Sequence, residues 1–88
     1  MAWTIELSSA ARRELKKIAP EDARRVVRQL EQLAGLDDPY ARGKALTGPY
    51  GGLWRYRVGN YRVICRIQNN RCTILVLKIG HRSSVYKR

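Results

Sequence analysis

The chain has 88 residues and a formal net charge of +11, a length that gives one small domain (residues 1–88) and excludes a second domain or a large cofactor cradle. The charge is unevenly placed: seven basic and seven acidic residues cancel up to Asp38, whereas eleven basic residues and no Asp or Glu follow from Pro39 onward. This asymmetry predicts a polyanionic partner, and it favours nucleic acid over a membrane because no apolar segment approaches the length that spans a bilayer.

A strand and a two-helix hairpin are predicted for the N-terminal half. Residues 2–7 alternate apolar and polar side chains, as a half-buried strand does. Ser8 or Ser9 can cap a first helix that ends before Pro20, and Pro20 can open a second helix that ends at Gly35. The apolar positions of both helices repeat at helical spacing, and they are Ala11, Leu15 and Ile18 in the first and Ala23, Val26, Val27, Leu30 and Leu33 in the second.

An antiparallel meander is predicted for the C-terminal half. Residues 35–52 hold five of the seven glycines and two of the three prolines, so they are mainly connection, with a short edge strand near residues 44–46. Strand-like runs follow at residues 53–58, 61–67 and 72–79, separated by the turn signals Gly59-Asn60 and Asn69-Asn70. The last run is apolar on both faces, so we expect it to be central in the sheet.

The order of these elements predicts an α+β fold. We expect an N-terminal strand, a two-helix hairpin, and then an antiparallel meander of three to four strands, with the helices packed on one face of the sheet. This arrangement leaves the other sheet face available for a ligand.

The Gly59-Asn60 turn fixes the register of the predicted hairpin. If these residues form the loop, Val58 opposes Tyr61 and Arg57 opposes Arg62. Opposed residues share a face, so one face is apolar and the other carries Arg55, Arg57, Arg62, Ile64 and Arg66. Opposed like charges are destabilising by up to about 1 kcal/mol, and the forked guanidinium group matches phosphate oxygens. The pattern indicates an anion-binding face, and a solvated basic face without a ligand is the alternative.

The end of the last strand brings titratable groups toward this face. Gly80-His81-Arg82 and then Tyr86 follow the strand, and the Asn69-Asn70 turn places them near the strand of Arg62. His81 is the only histidine and has the only side chain that ordinarily titrates near neutral pH, although a lone histidine is usually an ordinary surface residue.

Several other kinds of site are excluded or disfavoured by the composition. Without carboxylates the segment after Asp38 offers no paired-carboxylate site and no oxygen ligands for Mg²⁺, and two Cys with one His are too few for zinc without acidic help. We therefore expect no metal and no cofactor. The N-terminus lacks a secretory signal pattern, so we expect a cytoplasmic protein in which Cys65 and Cys72 are small core residues rather than a disulfide.

Three segments together resemble the RelE/ParE toxin superfamily of bacterial type II toxin–antitoxin systems. They are residues 44–48 (KALTG), residues 52–64 (GLWRYRVGNYRVI) and residues 79–86 (IGHRSSVY). The similarity spans nearly the whole chain in length and element order. It implies a RelE-like fold and, for RelE members, cleavage of mRNA in the ribosomal A site without a metal. In that reaction the 2′-hydroxyl of the substrate attacks the adjacent phosphate, leaving a 2′,3′-cyclic phosphate and a 5′-hydroxyl.

The resemblance also implies roles for individual residues. The catalytic positions that it matches are Arg62, His81, Arg82 and Tyr86. Arg62 and Arg82 would stabilise the charge that develops on the phosphate, while His81 and Tyr86 would transfer protons, in an order that stays open. The basic residues expected to contact RNA are Lys44, Arg55, Arg57 and Arg66. Some members have lysines where this chain has Arg55 and Arg57, and arginine, whose pKa exceeds about 12, is a poor proton acceptor.

The partners follow from the family and from the charge. The resemblance implies a cognate antitoxin that neutralises the toxin, and we expect this antitoxin to be acidic and to bring the contacts with operator DNA; the 70S ribosome and mRNA are the other expected partners. The main alternative is a ParE-like toxin that inhibits DNA gyrase without catalysis, and a third is a plain RNA-binding module. Acid–base residues beside an arginine cluster favour the ribonuclease, because a pure binder does not need them.

Overall fold

The computed structural model describes residues 3–81, and within them the predicted α+β architecture is confirmed. The strands and helices in chain order are β1 (Thr4–Leu7), α1 (Ser9–Lys17), α2 (Pro20–Ala34), β2 (Lys44–Ala45), β3 (Trp54–Val58), β4 (Tyr61–Gln68) and β5 (Thr73–His81). Short 3₁₀ turns lie at Pro39–Ala41, Gly48–Tyr50 and Asn69–Arg71. Two helices thus pack on a five-stranded, mostly antiparallel sheet.

Local sequence signals set the helix ends. Ser8 is the N-cap of α1, and its hydroxyl accepts a hydrogen bond of 3.0 Å from the amide of Ala11. Pro20 opens α2, where its missing amide hydrogen costs nothing, and Gly35 caps the other end. One of the apolar positions predicted for the second helix is not buried. Val27 is 40% exposed, because it lies on the side of α2 away from the sheet.

The predicted hairpin register is confirmed. The place of β1 in the sheet was not predicted from the sequence. The strand order is β1-β5-β4-β3-β2, with Arg57 opposite Arg62 and Val58 opposite Tyr61. β1 pairs with β5 in parallel, so the sheet is mixed. β5 lies between β1 and β4, as its apolar faces require, but β4 rather than β5 occupies the centre of the sheet.

A β-bulge in β5 decides which face the end of that strand presents. Cys65 opposes Val76, but the preceding residue of β4, Ile64, opposes Lys78, so Leu77 is an extra residue in β5. A one-residue shift moves every later side chain to the other face. With the bulge, Lys78 projects from the face opposite the helices, and His81 projects from the helix-facing side.

The core lies between the helix pair and the helix-facing side of the sheet. Val26 of α2 packs there with Val63 and Ile74 of the strands, and all three are fully buried. Cys65 is also a core residue, as predicted, and burial raises the pKa of its thiol. The same prediction is wrong for Cys72, which is exposed because it ends a 3₁₀ turn in the left-handed conformation with φ of 46°. Both thiols are free.

Neither α1 nor α2 is long and apolar enough to cross a bilayer, and the same is true of every other helical turn within residues 3–81.

Candidate nucleic-acid interface

The sheet face opposite the helices carries its basic residues in rows that run across the strands. We call it the arginine face, and its basic residues are Lys44, Arg55, Arg57, Arg62, Arg66 and Lys78. One row consists of Lys44, Arg55, Ile64 and Lys78, each opposite the next. The neighbouring row consists of Arg57, Arg62 and Gly80. The predicted grouping of the hairpin arginines is confirmed, and Lys78, which the sequence reasoning missed, belongs with them.

Arg62 occupies a partly protected position on the arginine face. It lies on the central strand and is half-buried, and its Nη1 atom is shielded from solvent. Arg57 and Arg66 are exposed, and Arg66 lies four residues further along β4, or about 13 Å at strand spacing. Charges act more strongly where water is partly excluded. Arg62 is therefore better placed than Arg57 or Arg66 to stabilise a negative charge on a bound phosphate.

An acidic residue lies at one end of the arginine face. Glu6 of β1 opposes Leu75, which in turn opposes Arg66. Its carboxylate accepts a hydrogen bond of 3.2 Å from Arg71, and because both side chains are exposed this ion pair adds little stability. The positive field is thus weakened near Arg66, while the two rows that include Arg55 and Arg57 contain no acid. Sequence reasoning assigned no part of this face to β1, because the parallel pairing was not predicted.

The loop before β2 is fixed to β3 by two aromatic side chains. The hydroxyl of Tyr56 donates a buried hydrogen bond of 2.8 Å to the carbonyl of Pro39, and the indole of Trp54 donates one of 2.7 Å to the carbonyl of Arg42. Burial is the main cause that raises the pKa of Tyr56, so this hydroxyl keeps its proton and remains a donor. These bonds hold the short strand β2 in place and thereby position Lys44 on the arginine face.

Replacing Tyr56 by phenylalanine is expected to lower the free energy of unfolding by about 1–3 kcal/mol, because the carbonyl of Pro39 loses its buried partner. Urea denaturation measures the change. Tyr40→Phe is the matched control: its hydroxyl only accepts an exposed hydrogen bond from Asn69, so a change within about 0.5 kcal/mol is expected. Equal losses in the two variants would show that the buried bond does not fix the loop.

A basic cleft continues from the arginine face around the open edge of β3. It has a volume of about 320 Å³, and Gln29 and Leu33 of α2 form one wall. The basic residues that line it are Arg42, Lys44, Arg55 and Arg57. A strand as short as β2 leaves the end of β3 uncovered, so the cleft is open to a ligand. Arg42 is a further basic residue that the sequence reasoning did not place at the site.

His81 lies on the other side of the sheet. It opposes Tyr61, and the two rings meet edge to face with their centroids 6.1 Å apart. The hydroxyl of Tyr61 donates a hydrogen bond of 3.2 Å to the carboxylate of Asp22 in α2. The pKa of Tyr61 is raised, first by burial and then by the charge of Asp22. Together with Arg25 these residues line a second cleft of about 300 Å³ under the hairpin turn.

Three sequence predictions concern the end of β5, and the structure bears on one of them. His81 ends the strand beside β4, as expected, but its imidazole is on the helix-facing side and Arg62 is on the arginine face. The physical reason is the bulge at Leu77, which exchanges the faces of the residues after it. Arg82 and Tyr86 lie outside the described residues. Among residues 3–81, no group of three or more His, Cys, Asp or Glu side chains is arranged to hold a metal ion.

Comparison with known proteins agrees with the fold and identifies the family. Residues 5–86 match the family model of the ParE toxin of the type II toxin–antitoxin system parDE. Toxin RelG of Mycobacterium tuberculosis is 31% identical over 91 residues, covering 100% of both chains. A structure from the same organism, the toxin–antitoxin complex RelBE2, is similar with 29% identity and a TM-score of 0.83, covering 96% of this chain and 95% of that one. Isolated Escherichia coli RelE has the same fold, with 15% identity, a TM-score of 0.74, and coverage of 91% and 84%. The chain therefore belongs to the RelE/ParE superfamily and is a toxin of a type II toxin–antitoxin system.

Proposed function

We propose that this toxin is a ribosome-dependent endoribonuclease that cleaves mRNA in the A site and so inhibits translation. The observation that carries the proposal is the row in which Arg57 opposes Arg62 across the central hairpin. Opposed like charges oppose folding, yet Arg62 is held half-buried there. The pairing of Arg57 with Arg62 therefore does not serve stability. A phosphate bound between the two guanidinium groups would explain it.

The arrangement suits attack by the 2′-hydroxyl of RNA on the adjacent phosphate. The new bond joins the 2′-oxygen to phosphorus, the bond from phosphorus to the 5′-oxygen breaks, and negative charge develops on the phosphate oxygens. Arg62 stabilises that charge, and Arg82, outside the described residues, is proposed to do the same. Preorganised donors of this kind contribute about 100- to 1,000-fold each to the rate.

The reaction also needs a proton acceptor for the 2′-hydroxyl and a proton donor for the 5′-oxygen. The resemblance offers His81 and Tyr86 for these transfers. We keep Tyr86 as the proposed acceptor. We do not give the donor role to His81, because its ring contacts Tyr61 on the opposite side of the sheet from Arg62.

Binding of the message is proposed to rest on phosphate contacts by Lys44, Arg55, Arg57 and Arg66. For single-stranded nucleic acid, each neutralised phosphate adds about 0.7 to the steepness of the salt dependence. Lys44→Ala and Arg66→Ala are each expected to reduce the slope of log K against log[salt] by about that amount, as filter binding to a short RNA would show. Lys17→Ala, an exposed change at the end of α1, is the control and is expected to leave the slope unchanged. Equal slopes in all variants would contradict binding by this face.

A cognate acidic antitoxin is the proposed regulatory partner. The similar RelBE2 structure is a toxin–antitoxin complex, and a chain of net charge +11 with a continuous basic face suits an acidic segment. Contacts with operator DNA are proposed to come only through the antitoxin.

The deciding experiment is to induce the toxin in cells, map mRNA 5′ ends, and measure DNA supercoiling in the same cultures. New 5′ ends at ribosomal A sites, with normal supercoiling, are the expected result. Intact messages with blocked supercoiling would instead support a ParE-like gyrase inhibitor. If messages stay intact and supercoiling is normal, but the protein binds RNA in a salt-dependent way, the result would support a plain RNA-binding module.

A further inference from the structure

Lys78 is a titratable residue on the arginine face that the sequence pattern conceals. Simple alternation from Val76 would direct Lys78 toward the helices, since Cys65 opposes Val76 on that side. The bulge at Leu77 instead places Lys78 opposite Ile64, in the row of Arg55. A charged residue is thus kept out of the core and added to the basic surface by a single extra residue.

The position of Lys78 relative to Arg62 suits a shared phosphate. Arg62 opposes Gly80, and Lys78 lies two residues before Gly80 on the same strand and face. Such diagonal neighbours are about 7–8 Å apart, within the span of long side chains. Gly80, which lies between them on β5, places no side chain on this face. A phosphate held by Arg62 would therefore lie within the span of the Lys78 side chain.

The chemistry of the face also calls for such a residue. Arginine keeps its proton at every physiological pH, so Arg55, Arg57 and Arg62 can bind charge but cannot donate a proton to a leaving group. A lysine ordinarily carries a proton at neutral pH and can release it to a stronger base. An alkoxide forming at a 5′-oxygen is such a base.

We propose that Lys78 is the general acid of the arginine face, an inference that rests on the proposed endoribonuclease function. The 2′-oxygen forms its bond to phosphorus after losing its proton to the acceptor, the bond between phosphorus and the 5′-oxygen breaks, and the ammonium group of Lys78 gives its proton to that oxygen. Solvent then restores the proton on Lys78. The basic residues that β3 and β4 place on this face are all arginines. Lys78 of β5, in the same row as Arg55, adds a lysine to them.

A substrate with sulfur in place of the bridging 5′-oxygen tests this role. A thiolate leaves without being protonated, because a thiol is a far stronger acid than an alcohol, so loss of a general acid matters little for the sulfur substrate. Single-turnover rates on programmed ribosomes would be compared for the oxygen and sulfur messages. Lys78→Gln is expected to slow the oxygen substrate by about 100-fold or more and the sulfur substrate by only a few fold.

Two further variants make the result specific. Lys44→Gln removes a charge from the same row and is expected to slow both substrates by the same small factor. His81→Phe keeps an aromatic ring against Tyr61. Any loss of rate in this variant is expected to be equal for the oxygen and sulfur substrates. Thermal unfolding of each variant would identify any loss of folding.

Several outcomes would overturn the proposal for Lys78. An equal loss on both substrates would make Lys78 a simple phosphate contact, and full activity of Lys78→Gln would remove it from the reaction. If His81→Phe slowed the oxygen substrate much more than the sulfur substrate, His81 would be the proton donor. If the wild-type toxin cuts neither message, the endoribonuclease proposal itself fails, and that result is distinct from all of the others.

Discussion

Replacing Arg62 by alanine is expected to lower the rate of mRNA cleavage by about 100- to 1,000-fold, the cost of removing one preorganised donor to a developing oxyanion. The residue lies on the central strand with part of its guanidinium group shielded from solvent. Its charge therefore acts on a bound phosphate with less screening than an exposed arginine would have. Single-turnover cleavage on programmed ribosomes, at saturating toxin, measures the loss.

Arg66→Ala is the matched control for the Arg62 variant. Arg66 projects from the same face of the same strand, but it is exposed and lies near Glu6. Its loss is expected to weaken RNA binding several fold while the rate at saturation changes by less than about tenfold.

Arg62→Lys separates charge from shape at the same position. It keeps the positive charge without the planar fork and is expected to recover part of the rate. A rate for Arg62→Ala within tenfold of wild type, with both variants folded, would contradict the assignment of the phosphate site.

Replacing Gly43 by alanine is expected to destabilise the fold by about 3 kcal/mol or more. Gly43 has φ of +83°, where a side chain is strained, and an added Cβ would lie 2.6 Å from the indole nitrogen of Trp54 and 2.9 Å from the ring of Tyr56. The backbone strain and the steric overlap cost about 1–3 kcal/mol each. For a chain of this size, the melting temperature is expected to fall by about 12 °C or more.

Gly48→Ala separates these two costs. Gly48 also has a positive φ, +63°, but no described heavy atom lies within 4 Å of the position that its Cβ would take. A loss of about 1–2 kcal/mol is expected there, from the backbone alone. Similar melting temperatures for the two variants would show that the close approach of Gly43 to β3 is not needed for stability.

The elements of the fold were largely predictable because their signals are local. Ser8, Pro20 and Gly35 mark helix ends through their own backbone preferences, and Gly59-Asn60 marks a two-residue turn that fixes the register on both sides. The parallel pairing of β1 with β5 joins residues about 70 positions apart. No local preference specifies such a pairing, because it depends on which sheet edge the helices leave open.

The residues of the candidate site could be predicted only where the sequence also predicted the strand register. The hairpin placed Arg55, Arg57 and Arg62 correctly, because a tight turn leaves no freedom in counting residues. The same counting does not extend past Leu77, since a bulge has no distinctive residue in a run of apolar side chains. The sequence placed His81 near the strand of Arg62 without deciding its face and gave Lys78 no part in the site; the register puts Lys78 on the arginine face and His81 on the helix-facing side.

The extra residue in β5 also affects how sequences in this superfamily are compared. Aligned positions share a chemical environment only if the chains between them have the same length. A relative without the residue that corresponds to Leu77 would present the residue aligned with His81 on the opposite side of its sheet. A histidine in that alignment column then denotes two different locations, and a role assigned by matching columns transfers only between chains that have the same bulge.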